Sequence, residues 1–491
     1  MRRIKVTKRV RGALMAAVVS CTSFVFGACG GTDGKDGDDT LTLKWYLPGE
    51  DIADMDMVLE KFNKRLYEKE GFKLDIEMID VNMYAEKMNM NIAANNEFDL
   101  WFVGYLNKYD EMTVNDTLYD ITEMVENSPI KNSMPRYVWE DVIRDGRIYA
   151  VPNFQVVFEQ RGLKIRKDLA EKYSLDISGI TKTEEIEPFL IQIRDNEPDL
   201  YPFRLSMHEQ SFQDIDSMLI TDRVNYCCVW LDDSGKVNCT PYYDAPGYKE
   251  KVYKLYDWYK KGYIRKDIAS IVGDTKDYQN MRYAVSVDHV KPGGDYELKR
   301  TAGFEVLTVP VEKPHVERGA ATATTIAINK KSQHPKEAFR LIEVMNTDKE
   351  LYNMLVFGLE GVHYKKIGMD RITLLNKRYN MSAWKVGNQF MSYFVDEQNE
   401  QDWEMTKKIN EEAITSPFVG FFPEVRSLRG ELIQIANVDK KYTVRQTGAE
   451  NPDNYWENFR REMEEAGIGK VCAEIKAQAQ RFIAEKRANA E

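Results

Sequence analysis

The sequence lacks the short motifs that mark many enzyme families. It contains no G-x-S-x-G nucleophile elbow, no H-E-x-x-H zinc helix and no G-x-x-x-x-G-K-[ST] phosphate loop. Gly467 and Gly469 occur without the third glycine of a dinucleotide-binding fingerprint. We therefore expect no catalytic residue and no cofactor.

Cysteine and histidine are scarce, with six and five residues in a chain of 491. No two cysteines form a C-x-x-C pair, which excludes zinc-ribbon and thioredoxin-type motifs. The histidines show no metal-ligand spacing; they are His208, His289, His315, His334 and His363. We expect neither a metal site nor a disulfide scaffold.

The N-terminus has the three parts of a secretory signal peptide. A basic stretch without acidic residues is followed by an apolar run at 13–26 and by small residues. Phe26-Gly27-Ala28-Cys29 resembles the bacterial lipobox, although Phe26 stands where leucine is usual. We expect cleavage after residue 28, lipidation of Cys29 with palmitate-type chains, and a flexible Gly/Asp-rich tether at 29–39. An ordinary secretory signal with an incidental cysteine is the alternative.

The remainder of the chain is acidic. Six of the 68 basic residues and none of the 79 acidic ones precede Cys29, so the formal net charge changes from −11 to −17 after cleavage. Such a chain is a poor ligand for nucleic acid, and we expect it to reach the membrane only through its lipid anchor. The 463 residues that remain exceed one hydrophobic core, which indicates two lobes or more.

Strand and helix periods alternate after the tether. Strand-like runs at 41–47, 72–78 and 100–103 are separated by helical spacing at 52–66 and 84–92, and Gly71 stands where the first helix should end. This β-α-β-α-β order predicts a parallel sheet with helical crossovers. Ligands of such sheets lie beyond the carboxyl ends of the strands, so we place Tyr46 and Trp101 at strand exits that face a cleft. Pro152 ends a further strand, where we expect the first crossing between lobes.

Three later segments carry structural predictions. A β-branched run at 321–329 and a helical period at 335–345 predict a strand and a helix that return to the first lobe. Two amphipathic helices, at 455–465 and from 471 onwards, end the chain. Runs at 226–231 and 237–240 flank a predicted four-residue hairpin loop at 232–235, which sets Cys228 opposite Cys239. We favour free thiols there, with a Cys228–Cys239 bridge as the alternative.

An ordered series of segments resembles the extracellular solute-binding proteins of carbohydrate ABC importers, the family 1 solute-binding proteins. The segments include GFKLDIEMI, YAEKMNMNIAANNEFDLWFVGY, DGRIYAVPNFQ, LYDWYKKGYI, FGLEGVHYKKI, SPFVGFFP and TGAENPDNYWENFRREMEEAGIGKVCAEIKAQAQRF. They are similar to a Gram-positive lipoprotein subgroup with a C-terminal domain of unknown function. The resemblance covers nearly all of residues 13–491.

The resemblance implies an α/β, two-lobed, periplasmic-binding-protein-like fold of type II, with mainly parallel sheets flanked by helices and a hinge between the lobes. The implied segments are lobe 1 at 40–152 and 319–370, lobe 2 at 153–318, and lobe 2 completion with a C-terminal helical domain at 371–491. It also implies a monomer, held at the extracellular face of the membrane, that delivers an oligosaccharide to ABC permease subunits.

Sugars bind aromatic faces and planar polar groups. By position we predict ligand contacts from Tyr46, Trp101, Asn153, Gln155, His289, Tyr364, Trp384 and Asn388. His289 precedes a glycine-containing loop, Tyr364 follows the Gly361 turn, and Trp384 and Asn388 flank Gly387. A binder of peptides or osmolytes on the same fold is one alternative, and a secreted glycoside hydrolase is another.

Overall fold

The computed structural model describes residues 40–205, 222–271 and 275–488. The predicted signal peptide, Cys29, the tether and His208 therefore lie outside the described residues. In the described part, no helix is long and apolar enough to cross a membrane.

The chain alternates between strands and helices. The strands are β1 Thr42–Pro48, β2 Lys73–Ile79, β3 Leu100–Gly104, β4 Ile143–Arg144, β5 Arg147–Ile148, β6 Ala150–Pro152, β7 Arg161–Arg166, β8 Tyr201–Arg204, β9 Asp222–Val224, β10 Cys227–Leu231, β11 Val237–Pro241, β12 Tyr283–His289, β13 Val306–Pro310, β14 His315–Val316, β15 Thr324–Ile328, β16 Tyr364–Lys366, β17 Arg371–Leu374, β18 Phe394–Val395 and β19 Ile414–Thr415. The helices are α1 Met55–Glu70, α2 Val81–Ala93, α3 Tyr109–Val114, α4 Thr122–Glu126, α5 Arg136–Val142, α6 Lys167–Lys172, α7 Glu187–Asn196, α8 Tyr248–Lys260, α9 Thr275–Gln279, α10 Gly294–Ala302, α11 Pro335–Thr347, α12 Lys349–Phe357, α13 Gln401–Glu412, α14 Arg429–Lys441, α15 Trp456–Glu465 and α16 Ile468–Ala488.

The first sheet has the strand order β2-β1-β3-β15-β6. Strand β1 pairs in parallel with both β2 and β3, which confirms the predicted β-α-β-α-β unit. Helix α1 ends at Gly71, whose φ of 81° suits a residue without a side chain. The predicted helix end at this glycine is therefore also confirmed.

Strand β15 brings the chain back into the first sheet. It lies between β3 and β6 and runs antiparallel to both. The strand begins at Thr324 rather than 321 because residues 321–323 form a turn of 3-10 helix. The predicted return to this sheet is confirmed.

The second sheet, β13-β7-β12-β8, is also mixed. Strand β7 is antiparallel to β12 and to β13, and β12 is parallel to β8. The expectation of mainly parallel sheets is therefore wrong. Strand β7 enters this sheet against the direction of its neighbours, and β15 does the same in the first sheet.

Separate hydrophobic clusters lie around these elements. The first packs α1, α2, α11 and α12 on the first sheet, and the second packs α6, α7 and α8 on the second sheet. A third cluster joins strands β9–β11 to helices α14–α16. The first cluster also contains Tyr379, Met381 and Val386, which follow the predicted boundary at 370.

The hairpin of β10 and β11 is present, but its predicted register is wrong by one residue. Leu231 pairs with Val237, and Cys228 faces Thr240 rather than Cys239. The loop has five residues because the Asp232 amide donates to the Lys236 carbonyl at 3.0 Å. The Asp232 carboxylate also accepts from the amides of Ser234 and Lys236, which stabilises the longer turn.

Candidate functional site

Several strand ends of the first sheet meet at one edge. In the sheet, Gly104 at the carboxyl end of β3 pairs with Thr324, the first residue of β15. Pro152, at the carboxyl end of β6, pairs with Thr325. The loops that follow β1, β3 and β6 therefore leave the sheet on the same side, together with the start of β15. Ligands of α/β sheets bind at such an edge.

Aromatic side chains lie at this edge. Tyr105 directly follows β3 and is 52% exposed. The Trp384 side chain is half-buried. The centroid of its ring lies 6.2 Å from the centroid of the Tyr105 ring and 5.9 Å from that of the Phe102 ring. The ammonium group of Lys385 donates to the carbonyl of Pro48 at 2.6 Å, which fixes this segment to the end of β1. Burial lowers the pKa of Lys385.

Asn153 supplies a polar group next to Pro152. Its backbone amide donates to the Thr324 carbonyl at 2.9 Å, so its main chain is fixed to β15. The side chain is only 3% exposed, yet neither amide atom has a hydrogen-bond partner among the described residues. A buried amide without a partner costs free energy, which points to a group supplied from outside the chain.

Asn107 has the same character and was missed from the sequence. It follows β3 by three residues, is 5% exposed, and has no partner for either side-chain amide atom within the described part of the chain. Its position after an apolar strand was the available signal.

Gln155 is already bonded within the chain. Its side-chain amide donates to the Thr324 hydroxyl at 2.8 Å, and its carbonyl accepts from Asn410 at 2.8 Å. The side-chain carbonyl of Asn410 accepts from the amide of Val157 at 3.0 Å. These bonds hold the segment after β6 against helix α13. Gln155 thus lies at the predicted edge of the first sheet and helps to fix the segment that follows β6.

Tyr46 and Trp101 are inside the sheet rather than at its exits. Trp101 is fully buried and Tyr46 is 4% exposed; both rings pack edge-on against Phe98. Tyr46 and Trp101 lie two and three residues before the strand ends at Pro48 and Gly104, so their side chains belong to the interior of the sheet. We therefore assign both side chains to the core.

Close packing against helix α11 explains why position 387 is a glycine. Gly387 has a φ of 136°, and a Cβ there would lie 2.3 Å from the carbonyl oxygen of Met345 in α11. Asn388 accepts from the amide of Phe390 at 3.0 Å, so it caps a short 3-10 turn. The backbone of Gly387 thus lies against helix α11. Of the two predicted residues in this segment, Trp384 remains at the edge of the first sheet.

The structure does not place Tyr364 among the residues at the edge of the first sheet. Tyr364 is 6% exposed and packs with Ile372, Tyr393 and Val395 in a small separate core. Its neighbour His363 is buried, accepts from the Leu359 amide at 2.9 Å and lies 3.2 Å from the Asp54 carboxylate. The alternative of a packing role for this pair fits these contacts better than ligand binding.

His289 ends strand β12 of the second sheet. Its Nε2 atom lies 3.1 Å from the carbonyl oxygen of Phe158, and burial together with the charge of Lys291 lowers its pKa to about 4. The following Gly293 has a φ of 73° and lies against the Asp402 carboxylate, where a Cβ would be 2.4 Å from an oxygen. The loop is therefore packed against helix α13.

Comparison with known proteins shows what this arrangement resembles. Residues 417–484 match the model of a domain of unknown function, DUF3502. A carbohydrate ABC transporter substrate-binding protein of Streptococcus pneumoniae serotype 4 is 27% identical over 97% of this chain and 99% of its own length.

Solved structures agree with this comparison. The N-glycan transport solute binding protein NgtS of Streptococcus pneumoniae is 26% identical, covers 91% of this chain and 100% of its own, and gives a TM-score of 0.82. The same protein in complex with Man5GlcNAc is 27% identical over 91% of this chain and 99% of its own, with a TM-score of 0.70. The resemblance drawn from the sequence, the type II solute-binding fold and the C-terminal domain of unknown function are thereby confirmed.

Proposed function

We propose that this chain, a homologue of the carbohydrate ABC transporter substrate-binding proteins, captures an oligosaccharide at the edge formed by β1, β3, β6 and β15. It is held at the outer face of the membrane by acyl chains on Cys29 and passes its ligand to ABC permease subunits. It acts by binding, as a monomer, and carries out no reaction on the sugar.

The unpartnered amide of Asn153 is the observation that supports this function best. An amide offers two donors and an acceptor in one plane, and a sugar hydroxyl can satisfy both kinds of group. The exposed Tyr105 and half-buried Trp384 lie at the same edge and present ring faces to which the C–H surface of a sugar can bind. Neither feature requires a reactive group.

Closure of two lobes on the ligand is part of the proposal. The first and second sheets have separate hydrophobic clusters, as expected for bodies that can move as units. We assign the first sheet with the helices packed on it to lobe 1, and the second sheet with its helices to lobe 2.

Calorimetric titration with Man5GlcNAc tests the binding function. Man5GlcNAc is the ligand in a complex of NgtS, so it is a suitable first probe. We expect saturable binding and no release of new reducing ends after prolonged incubation. Reducing ends that increase with protein concentration would instead support the glycoside hydrolase alternative. Binding of peptides or osmolytes but of no glycan would contradict the carbohydrate assignment.

Small-angle scattering tests closure separately. A ligand that contacts both lobes favours the closed state through its additional contacts there. We expect a smaller radius of gyration at saturating Man5GlcNAc. An unchanged radius in a sample shown by calorimetry to be saturated would contradict hinge closure while leaving the binding function intact.

A further inference from the structure

Three cysteines that are distant in sequence meet in the third hydrophobic cluster. The Sγ atoms of Cys227, Cys239 and Cys472 all lie within 4.8 Å of one another. They come from β10, β11 and the C-terminal helix α16, and Cys227 and Cys472 are buried while Cys239 is half-buried. No C-x-x-C spacing in the sequence predicts this cluster, because tertiary packing brings the three cysteines together.

The register of the hairpin explains why the three sulfur atoms lie close together. Cys239 faces Val229 across the strand pair, so Cys227, two residues along from Val229, shares the same face as Cys239. Helix α16 covers this face and contributes Cys472. Cys228 faces Thr240 on the opposite side of the pleat. Three of the four cysteines described in the structure therefore converge and the fourth points away.

We propose that Cys227, Cys239 and Cys472 form a three-thiolate site for a thiophilic cation, Zn²⁺ or Cu⁺. Zinc–sulfur bonds are about 2.3 Å long, so three sulfurs around one ion lie about 4 Å apart. The present separations of up to 4.8 Å need a contraction of under about 1 Å. Soft thiolate ligands select these ions over calcium or magnesium. Each thiol that is still protonated releases its proton when the metal–sulfur bond forms.

The site would join the C-terminal domain to the hairpin. Cys472 belongs to the segment that matches DUF3502. Cys227 and Cys239 lie before that segment and precede Cys472 by more than 200 residues. A bound ion would stabilise this contact because the unfolded chain does not hold the three sulfurs together. The proposal does not depend on the ligand of the first sheet.

Metal titration under anaerobic, reducing conditions tests the proposal. The full chain carries Cys21→Ser and Cys29→Ser in every sample, so its thiols are Cys227, Cys228, Cys239 and Cys472. Zn²⁺ and Cu⁺ are titrated in separate arms against a chromogenic chelator. We expect one equivalent of at least one ion to bind and to protect three thiols from a thiol reagent.

Matched variants locate the site. Cys239→Ser, at the most exposed of the three sulfurs, should weaken binding at least 100-fold, whereas Cys228→Ser should leave it unchanged. Melting temperatures without metal establish that both variants are folded. The proposal is overturned if neither ion binds the starting protein, or if the two variants weaken binding equally. A disulfide between two of the three sulfurs in protein isolated from cells would also overturn it.

Discussion

Replacing Asn153 with alanine separates a ligand-binding amide from a structural one. In the described part of the chain, both amide atoms of Asn153 lack a partner although the side chain is 3% exposed. Removing an unpaired buried amide returns its desolvation cost, so stability without ligand should fall by no more than about 1 kcal/mol. Two lost hydrogen bonds to a sugar amount to about 1–3 kcal/mol, which is a 5- to 150-fold weaker affinity.

Asn353 provides the matched control. It is fully buried like Asn153, but its amide donates to the carbonyls of Lys349 and Met391 and its oxygen accepts from the Tyr393 amide. Asn353→Ala breaks these three bonds, so we expect a loss of about 2–4 kcal/mol of folding free energy. The affinity of the folded protein should change little.

Calorimetry with Man5GlcNAc and thermal unfolding without ligand measure the two effects. Asn153→Ala should change affinity alone, and Asn353→Ala should change stability alone. If Asn153→Ala melts as early as Asn353→Ala and binds with unchanged affinity, Asn153 is a structural residue. The assignment of the edge would then be wrong.

Three further predictions follow from burial and charge. Trp101→Ala should cost about 3–5 kcal/mol of stability because its side chain is fully buried, whereas Trp384→Ala should mainly weaken ligand binding; unfolding and calorimetry distinguish them. Cys29→Ser should release the protein into the medium, and a variant that stays on the membrane would contradict the lipid anchor. The pKa of His289 is lowered to about 4, so the unfolded state binds a proton that the folded state does not, and stability should decrease as the pH falls from 6.5 towards 4. His289→Gln should lose part of that dependence. The pKa of His315 is raised to about 9, so its stabilising contribution is fully present below pH 6.5 and is lost as the pH rises through 9; His315→Gln should therefore reduce stability most below pH 6.5 and little at alkaline pH.

Local periodicity predicted the part of the fold that depends on local interactions. The parallel β1, β2 and β3 and the helix end at Gly71 follow from residues that are near one another in sequence. The direction of β7 does not, because it is set by how the chain crosses from the first sheet to the second. That choice involves packing between segments that no short pattern records.

How well the residues of the candidate site could be predicted depended on how well the ends of the strands could be located in the sequence. Asn153 was found because Pro152 marks the end of β6 in the sequence itself. Trp101 was placed at the exit of β3, although the strand continues for three residues to Gly104 and the Trp101 side chain is fully buried. Asn107, beyond that end, is a candidate because it is buried and its amide lacks partners among the described residues, and both properties exist only in the folded chain.

A single residue in the loop of the hairpin decides which thiols meet. With four loop residues, Cys228 would oppose Cys239 and the pair would be a candidate disulfide. With five, Cys227 shares a face with Cys239, because side chains alternate along a strand with a period of two. The bonds of the Asp232 carboxylate to the Ser234 and Lys236 amides stabilise the longer loop. A polar side chain in the turn thus selects the face on which helix α16 supplies the third sulfur, and sequence spacing could not reveal that selection.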